Sequence, residues 1–497
     1  MLKKIGLGFL VLLLVLILAL WIFWPKNLNI GGPLLDFVTG KQLETPDTAT
    51  MNARFQLPDG FKLGVFAENV PHARMMRTTS QGDLVVSSMR EGKVILLHTD
   101  DDGDGRSDGR TVLLEGLDVP HGLALQDGYL YIAETHRIIR VPFAAASRKV
   151  GAIESVFEGL PPGGNHRTRT IGFGPDGWLY VTIGSSCNVC IEEHEYRAAM
   201  LRMHPDGSEA RIYATGLRNT VGFDWHPITG KLYGTDNGRD LLGDDTPHCE
   251  INQIEEGQSY GWPYTYDDKQ VDPDFGLGNE DKIAASKAMV HGLGAHVAPL
   301  GIKFLKPNLA PEGYDSVALV ALHGSWNRST LSGYKVVSLH YGDDGSIEQR
   351  DFLMGFEENE DVIGRPVDIE QGLDGAIYIS DDYSGTIYRV GWGDIRTSAA
   401  TTENGVVRDP FEGLGEDSIR SLSAVGEVLY REQNCASCHE AGQAGEGVQV
   451  KLLKGLQSRY TLSGLQALLA TPPGPMPRPD ISDEERKALA AYLLSTR

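Results

Sequence analysis

The chain has 497 residues and a mass of 54.2 kDa, too long for one small core, so two or three domains are expected. Its 45 basic and 67 acidic residues give a net charge of −22, which lacks the basic footprint of a nucleic-acid binder and reads as a solubilised surface. With 41% hydrophobic and 23% charged residues the composition is that of a folded protein, and 59 glycines beside 18 tyrosines point to β-structure with many tight turns.

The first element is apolar. Lys3 and Lys4 precede an uninterrupted run from Ile5 to Trp24. At ~1.5 Å per residue such a run spans ~30 Å, one bilayer core. Trp21 and Trp24 fall where an interfacial belt sits, and the two lysines mark the cytoplasmic side. A cleaved signal peptide is the alternative, but the run is long for one and no small-x-small site precedes the prolines. The expectation is a transmembrane signal anchor over residues 5–24, single-pass in the inner membrane, with the body in the periplasm.

Further on, "DDDGDGRSDGR" sets Asp100, Asp102, Asp104 and Gly105 in the D-x-D-x-D-G arrangement of a calcium loop. Its twelfth position is Thr111 rather than the bidentate glutamate of an EF-hand, so a structural calcium competes with a plain acidic turn.

From Arg54 to Val390 one pattern recurs, a glycine turn followed by an aromatic and aliphatic strand: "SQGDLVVSS", "LQDGYLYIAE", "GPDGWLYVTIG", "HPITGKLYGTD", "YDSVALVALHG" and "LDGAIYISDD". Gly82, Gly128, Gly177 and Gly230 are spaced by 46, 49 and 53 residues. Units of roughly 40–50 residues with several strands each are propeller blades. Six copies predict six blades, whereas a β-sandwich predicts no such regularity. In a propeller the residues just before each innermost strand gather at one mouth. Those positions hold His121, His166, Arg169, Arg218, Asn219, His296 and Arg365, with His323 and Arg328 in "HGSWNRST". Histidines and arginines converging on a concave mouth suit an anionic ligand beside a general base.

"CNVC" at 187–190 lacks a following histidine and so is no second haem site; a short-loop disulfide, which removes little chain entropy and would shape the channel rim, competes with a reduced pair or a metal site. Cys249 is left over as a buried thiol. The stretch 396–420, "TSAATTENGVVRDPFEGLGED" at its heart, reads as a linker.

Residues 421–497 form a second unit. Cys435-Ala-Ser-Cys438-His439 fits the C-x-x-C-H pattern, in which two thiols take the haem vinyl groups and the adjoining histidine becomes the proximal iron ligand. A helix precedes the motif, and "ISDEERKALAAYLLSTR" follows with Ser482 and Glu485 as a capping box and Leu489, Tyr492 and Leu493 as its buried face. Met476 lies between, on a proline-stiffened loop, and is the candidate sixth ligand. This stretch resembles a class I cytochrome c domain.

The repeats carry a second resemblance. "GGNHRTRTIGFGPDGWLYVTIGSSCNVC", "ATGLRNTVGFDWHPITGKLYGTDNG", "EINQI…YGWPY" and "HGSWNRSTLSGYKVV" look like the pyrroloquinoline-quinone (PQQ)-dependent sugar dehydrogenases of the L-sorbosone and aldose branch. That resemblance implies His166 as the base for the substrate hydroxyl, and Arg218 with Asn219 against the reacting quinone carbonyl. It implies calcium on the backbone carbonyls of Gly238 and Arg239, a cofactor carboxylate on Arg328, and Arg365 as the first of two late cofactor-binding arginines. A second late arginine of the family falls here on Val367.

The fold expected is therefore mainly β: a six-bladed propeller over 53–395, then an all-α cytochrome c domain, with the N-terminal helix ahead of both. The function expected is a membrane-anchored quinohaemoprotein that oxidises a sugar, polyol or sugar aldehyde with PQQ and calcium. Its electrons would leave through haem c to a respiratory acceptor. A calcium-dependent lactonase and a non-catalytic binding propeller are the rival readings.

Overall fold

Six antiparallel sheets of four principal strands each account for the chain from Phe61 to Trp392. In the computed structural model, which describes residues 39–342, 344–392, 411 and 414–440 and shorter stretches within 453–496, each sheet is one blade. Blade 1 runs from Ala73 to Leu114, blade 2 from Leu123 to Phe157 and blade 3 from Arg169 to Thr215. Blade 4 runs from Thr220 to Ala295, blade 5 from Pro299 to Leu353 and blade 6 from Pro366 to Trp392.

The first strands of neighbouring blades pack against one another all the way round, which closes a ring about a central channel. Ring closure is also made by hydrogen bonding. Strand Phe61–Ala67, ahead of blade 1, pairs antiparallel with Thr386–Trp392 and becomes the outer strand of blade 6. Arg389 in that blade is buried and bonds Asp100 and Asp374, both at 2.8 Å, so the first and last blades are tied by charge as well.

The six copies seen in the sequence are the second strands. Leu84–Ser88, Leu179–Ile183, Leu232–Asp236, Ala318–Leu322 and Ile377–Asp381 are buried at every position, and Tyr129–Ala133 at all but its first. A strand covered on both faces must be apolar or small throughout, which is why these stood out while the half-exposed outer strands did not. Blade 4 holds an insertion between its third and fourth strands, with a hairpin (Thr265–Tyr266 and Gln270–Val271) and a helix (Glu280–Ala285). Val367 is fully buried against Val221 and Leu300, so this position packs the channel wall.

A second compact unit begins at Ala400. Its helices Glu416–Glu432 and Asp483–Thr496 pack closely: a β-carbon on Gly426 would lie 2.0 Å from the Ala488 carbonyl oxygen, so only glycine admits this crossing. The second helix opens with the capping box. The Glu485 carboxylate accepts from both the N–H and the hydroxyl of Ser482 at 2.7 Å. Leu489 and Leu493 are buried in one apolar cluster with Leu429, Tyr430 and Leu465, and Cys435, Met476 and Tyr492 pack against it.

The predicted anchor, residues 5–24, and much of the predicted linker lie outside the described residues. Among the described residues no helix is long and apolar enough to cross a membrane.

Candidate functional site

The mouth is built from the turns that enter each first strand and leave each second strand. Blade 3 contributes the loop 161–168. Two buried guanidiniums hold it by its backbone. Arg169 donates to the carbonyls of Pro161, His166 and Thr168 at 2.8–3.0 Å, and Arg197 to those of Pro162 and Gly163 at 2.7–2.8 Å. Burial, then the charge of Arg197, lowers Arg169 to about 9. Arg169 is thus a scaffold for the loop and does not face the mouth as the sequence order had placed it.

His166 is held at one end. Its Nδ1 lies 2.9 Å from Ser185 Oγ and 3.0 Å from the Ser185 carbonyl, and its Nε2 makes no hydrogen bond among the described residues. Burial, then the positive field of Arg218, pushes its pKa down to about 3, so the ring is neutral. Gly184 lets His166 and Asn219 meet: a β-carbon there would stand 2.6 Å from both Asn219 Oδ1 and His166 Cβ.

Arg218 is buried and largely spent. It donates to the Asn188 carbonyl and Oδ1, both at 2.9 Å, to the Asn237 carbonyl at 3.0 Å, and to Asp240 at 3.2 Å. Its neighbour Asn219 differs. Asp236 fixes its backbone N–H at 2.6 Å, while its side-chain amide nitrogen has no partner among the described residues. Gly238 packs where a β-carbon would lie 2.6 Å from the His248 carbonyl, and the Arg239 side chain turns away to Asp272 and Asp274 at 2.6 and 2.9 Å. What these two residues offer the mouth is therefore backbone.

The remaining predicted cations are farther round the ring. Arg328 pairs with Asp245 at 2.7 Å and the Asp244 carbonyl at 2.9 Å. Arg365 donates to the carbonyls of His323 and Gly324 at 3.2–3.3 Å, with its guanidinium 5.8 Å above the Tyr334 ring centre. His323 and Arg74 both bond Asp382 at 2.8 Å. Burial opposes ionisation of Asp382, but His323 and Arg74 override it and hold its carboxyl far below the usual range. His121 is fully buried and engaged at both ring nitrogens, whereas His296 and His323 are bonded through Nε2, to the Gly243 carbonyl at 2.7 Å and to Asp382 at 2.8 Å, so His166 is set apart by its open Nε2 and its place beside Asn219.

Two carboxyls behind the site were not singled out from sequence. Asp236 and Glu250 are cross-strand neighbours in blade 4, lining a small cavity beneath Asn237 and Gly238 with room for about one water. Burial raises Asp236 to about 7, and burial with the charge of Asp236 raises Glu250 to about 8. Away from the mouth, the acidic loop of blade 1 differs from its reading in one respect. The carboxylates that converge are Asp100, Asp102 and Asp108, whereas Asp104 accepts from the N–H of Arg106 at 2.7 Å. Cys187 and Cys190 form a disulfide, and Cys249 is a buried thiol.

In the second unit Cys435 and Cys438 are not disulfide-bonded, and the short helix Ala436–His439 has Cys435 as its N-cap and Cys438 and His439 within its single turn. Two reduced thiols beside a histidine, with Cys435 and Met476 on the same apolar cluster, fit a covalently held haem.

Residues 55–392 match the TrAA12-like family model, about two-thirds of the chain. The chain belongs to the TrAA12-like family. Residues 422–493 match the family model "Cytochrome C oxidase, cbb3-type, subunit III", so the TrAA12-like propeller, of the PQQ sugar-dehydrogenase type, is joined to a cytochrome c domain and the protein is an oxidoreductase. An uncharacterized protein of Borreliella burgdorferi is 32% identical over 357 residues, covering 68% of this chain and 91% of that one. Quinoprotein glucose dehydrogenase B of Acinetobacter calcoaceticus is 29% identical over 137 residues, 21% of this chain and 27% of that enzyme. Among solved structures, the calcium form of the Trichoderma reesei family AA12 enzyme superposes with a TM-score of 0.62 at 20% identity, covering 68% and 97% of the two chains. The holo PQQ domain of Coprinopsis cinerea pyranose dehydrogenase gives 0.60 at 20% identity over 68% and 97%. At that identity the structures share the fold.

Proposed function

We propose that this TrAA12-like protein is a quinohaemoprotein dehydrogenase. It oxidises a sugar, polyol or sugar aldehyde at the mouth over blades 3 and 4, and its electrons leave through haem c to a respiratory acceptor. The observation that carries this is His166, neutral, tied through Nδ1 and open at Nε2, next to the Asn219 amide nitrogen, which has no partner among the described residues.

The donor set suits the group. PQQ, when bound, supplies the hydride acceptor. Asn219 offers an N–H toward a quinone oxygen, with Arg218 fixed beside it. Arg328 and Arg365 place positive charge for carboxylates at the far side, although both already hold backbone oxygens. The carbonyls of Gly238 and Arg239 are the candidate calcium ligands, hard oxygens of the kind that cation takes. His166 Nε2 removes the proton of the reacting hydroxyl, and the buried arginines around its loop disfavour a charged imidazolium before reaction.

Cys435, Cys438, His439 and Met476 are the haem ligands and tethers of this reading. Residues 5–24 would hold the protein in the inner membrane with both folded units in the periplasm, where covalent haem and the Cys187–Cys190 bridge are stable.

The test is reconstitution. Full-length protein given PQQ and calcium, then screened with aldoses, polyols and sugar aldehydes, should reduce its own haem with at least one of them. A quinone-loaded protein whose haem stays oxidised with every substrate would overturn the reading.

A further inference from the structure

The loop that follows the second strand of blade 3 touches both principal groups of the mouth. Ser185 is fully buried at its start. Its Oγ lies 2.7 Å from the Cys187 carbonyl and 2.9 Å from His166 Nδ1. A carbonyl only accepts, so the single hydroxyl proton goes to Cys187, and Oγ is left to accept from the imidazole. The Ser185 carbonyl on the same nitrogen, at 3.0 Å, also only accepts. Nδ1 therefore carries the proton, and the lone pair is on Nε2.

Three residues on, Asn188 grips Arg218 from two directions. Its carbonyl takes Nε and its Oδ1 takes Nη2, both at 2.9 Å. The same Oδ1 accepts from the N–H of Asp240 at 2.8 Å, and Asn188 Nδ2 returns a bond to the Asp240 carbonyl at 3.1 Å. Glu192 closes the far end of the loop on the N–H and hydroxyl of Ser186, at 2.6 and 2.7 Å. Cys187 and Cys190 bridge the middle. A cross-link over so few residues removes little entropy from the unfolded chain. Its effect is local: it fixes where the Cys187 carbonyl and Asn188 stand.

We propose that this cross-linked loop is a positioning device, with Ser185 setting the tautomer of His166, Asn188 setting Arg218, and the Cys187–Cys190 disulfide holding the two in register. Its consequence for turnover rests on the dehydrogenase reading; its consequence for the imidazole does not. Neither Ser185 nor Asn188 reaches the reacting atoms in this scheme. They act through His166 and Arg218.

Two measurements test it on the full-length protein. The first is proton–nitrogen correlation on histidine-labelled protein without PQQ, with His166→Asn used to assign the ring. The wild type should show the Nδ1–H form. The Cys187→Ser, Cys190→Ser double variant should show a mixture of tautomers; Ser185→Ala, which keeps the backbone carbonyl at position 185 on Nδ1, should show a smaller admixture, and Ser185→Thr should restore one form. The second is steady-state kinetics of the reconstituted enzyme. Displacing a reacting group by about 1 Å costs on the order of 10²-fold, so kcat should fall toward that figure in both loop variants while KM changes little. The haem spectrum and thermal transition should be retained. An unchanged tautomer in the double variant, with kcat within about twofold of wild type, overturns the proposal. If no sugar reduces the haem of the wild type, the dehydrogenase reading fails, and the tautomer comparison still decides this one.

Discussion

Gly184→Ala is the most exacting single change at the mouth, because its effect follows from distances alone. The new β-carbon would stand 2.6 Å from Asn219 Oδ1, 2.6 Å from His166 Cβ and 3.2 Å from His166 Cγ, where ordinary contact begins near 3.4 Å. Asn219 Oδ1 is the end of a side chain and can swing aside. His166 Cβ is one bond from a backbone that Arg169 grips by its carbonyl at 3.0 Å, so the loop must move with it. The displacement needed is a large part of an ångström. Overpacking of this kind costs about 1–3 kcal/mol, a fall of a few degrees in Tm for a domain this size. The same shift at a reacting group costs about 10²-fold in rate. The assay is substrate-driven haem reduction by full-length, PQQ-loaded protein, with thermal unfolding followed alongside. A variant with Tm slightly lowered, haem spectrum unchanged and turnover down about 10²-fold is expected. Turnover within about twofold of wild type would show that His166 does not need its present place, and the assignment of the base would fall.

His166→Ala should retain the haem spectrum and lose about 10²–10⁴-fold in turnover, measured as sugar-driven haem reduction. Met476→Ala should lower the haem potential in a redox titration, and an unshifted potential would remove Met476 as a ligand. The Cys435→Ala, Cys438→Ala variant should keep sugar oxidation with an artificial dye and lose it with the respiratory chain in membranes; loss of both would mean that the propeller is no independent dehydrogenase. Glu250 and Asp236 bind protons in the folded state up to about pH 8 and 7, but only to their ordinary values of 4.5 and 3.8 when unfolded. The folded state thus holds more protons between those limits, so their contribution is intact below pH 4 and lost as pH rises through 7 and 8. Glu250→Gln should flatten that decline and leave the propeller more stable than wild type at pH 8, by on the order of 1 kcal/mol or more in urea unfolding. Equal slopes in the two proteins would show that Glu250 is ionised in both states.

The propeller was legible because one strand per blade is covered on both faces, and its composition cannot drift toward polar residues. The capping box of Ser482 and Glu485 was legible because it is closed within three residues. The acidic loop was legible only as an acidic loop. Which carboxylate joins Asp100 and Asp102 depends on a turn that brings Asp108 back and leaves Asp104 on its own backbone. Arg169 shows a sharper limit. An arginine ahead of an inner strand reads as a cation at the mouth, but here it bonds three backbone carbonyls beneath the loop. Asp236 and Glu250 gave no signal, since a charged residue within a strand reads as its wet face. The insertion in blade 4, with Tyr260, Trp262 and Thr265, closes over the cavity they line.

The arginines of the mouth carry a consequence for specificity. A guanidinium has five N–H groups. Arg218 uses four of them inside the protein, Arg328 bonds through Nε, Nη1 and Nη2, and Arg365 gives two to the His323 and Gly324 carbonyls. Such groups are fixed before any ligand arrives, so they supply field and shape with little reorganisation. Among the described residues, Nε2 of His166 and the amide nitrogen of Asn219 make no hydrogen bond, and Arg365 on the opposite arc keeps N–H groups beyond the two it gives to carbonyls. His166 and Asn219 belong to blades 3 and 4. A ligand that gives its proton to His166 must bring its reacting edge to that side, and the opposite arc, with Arg365, His323 and Asp382, meets whatever charge it carries behind.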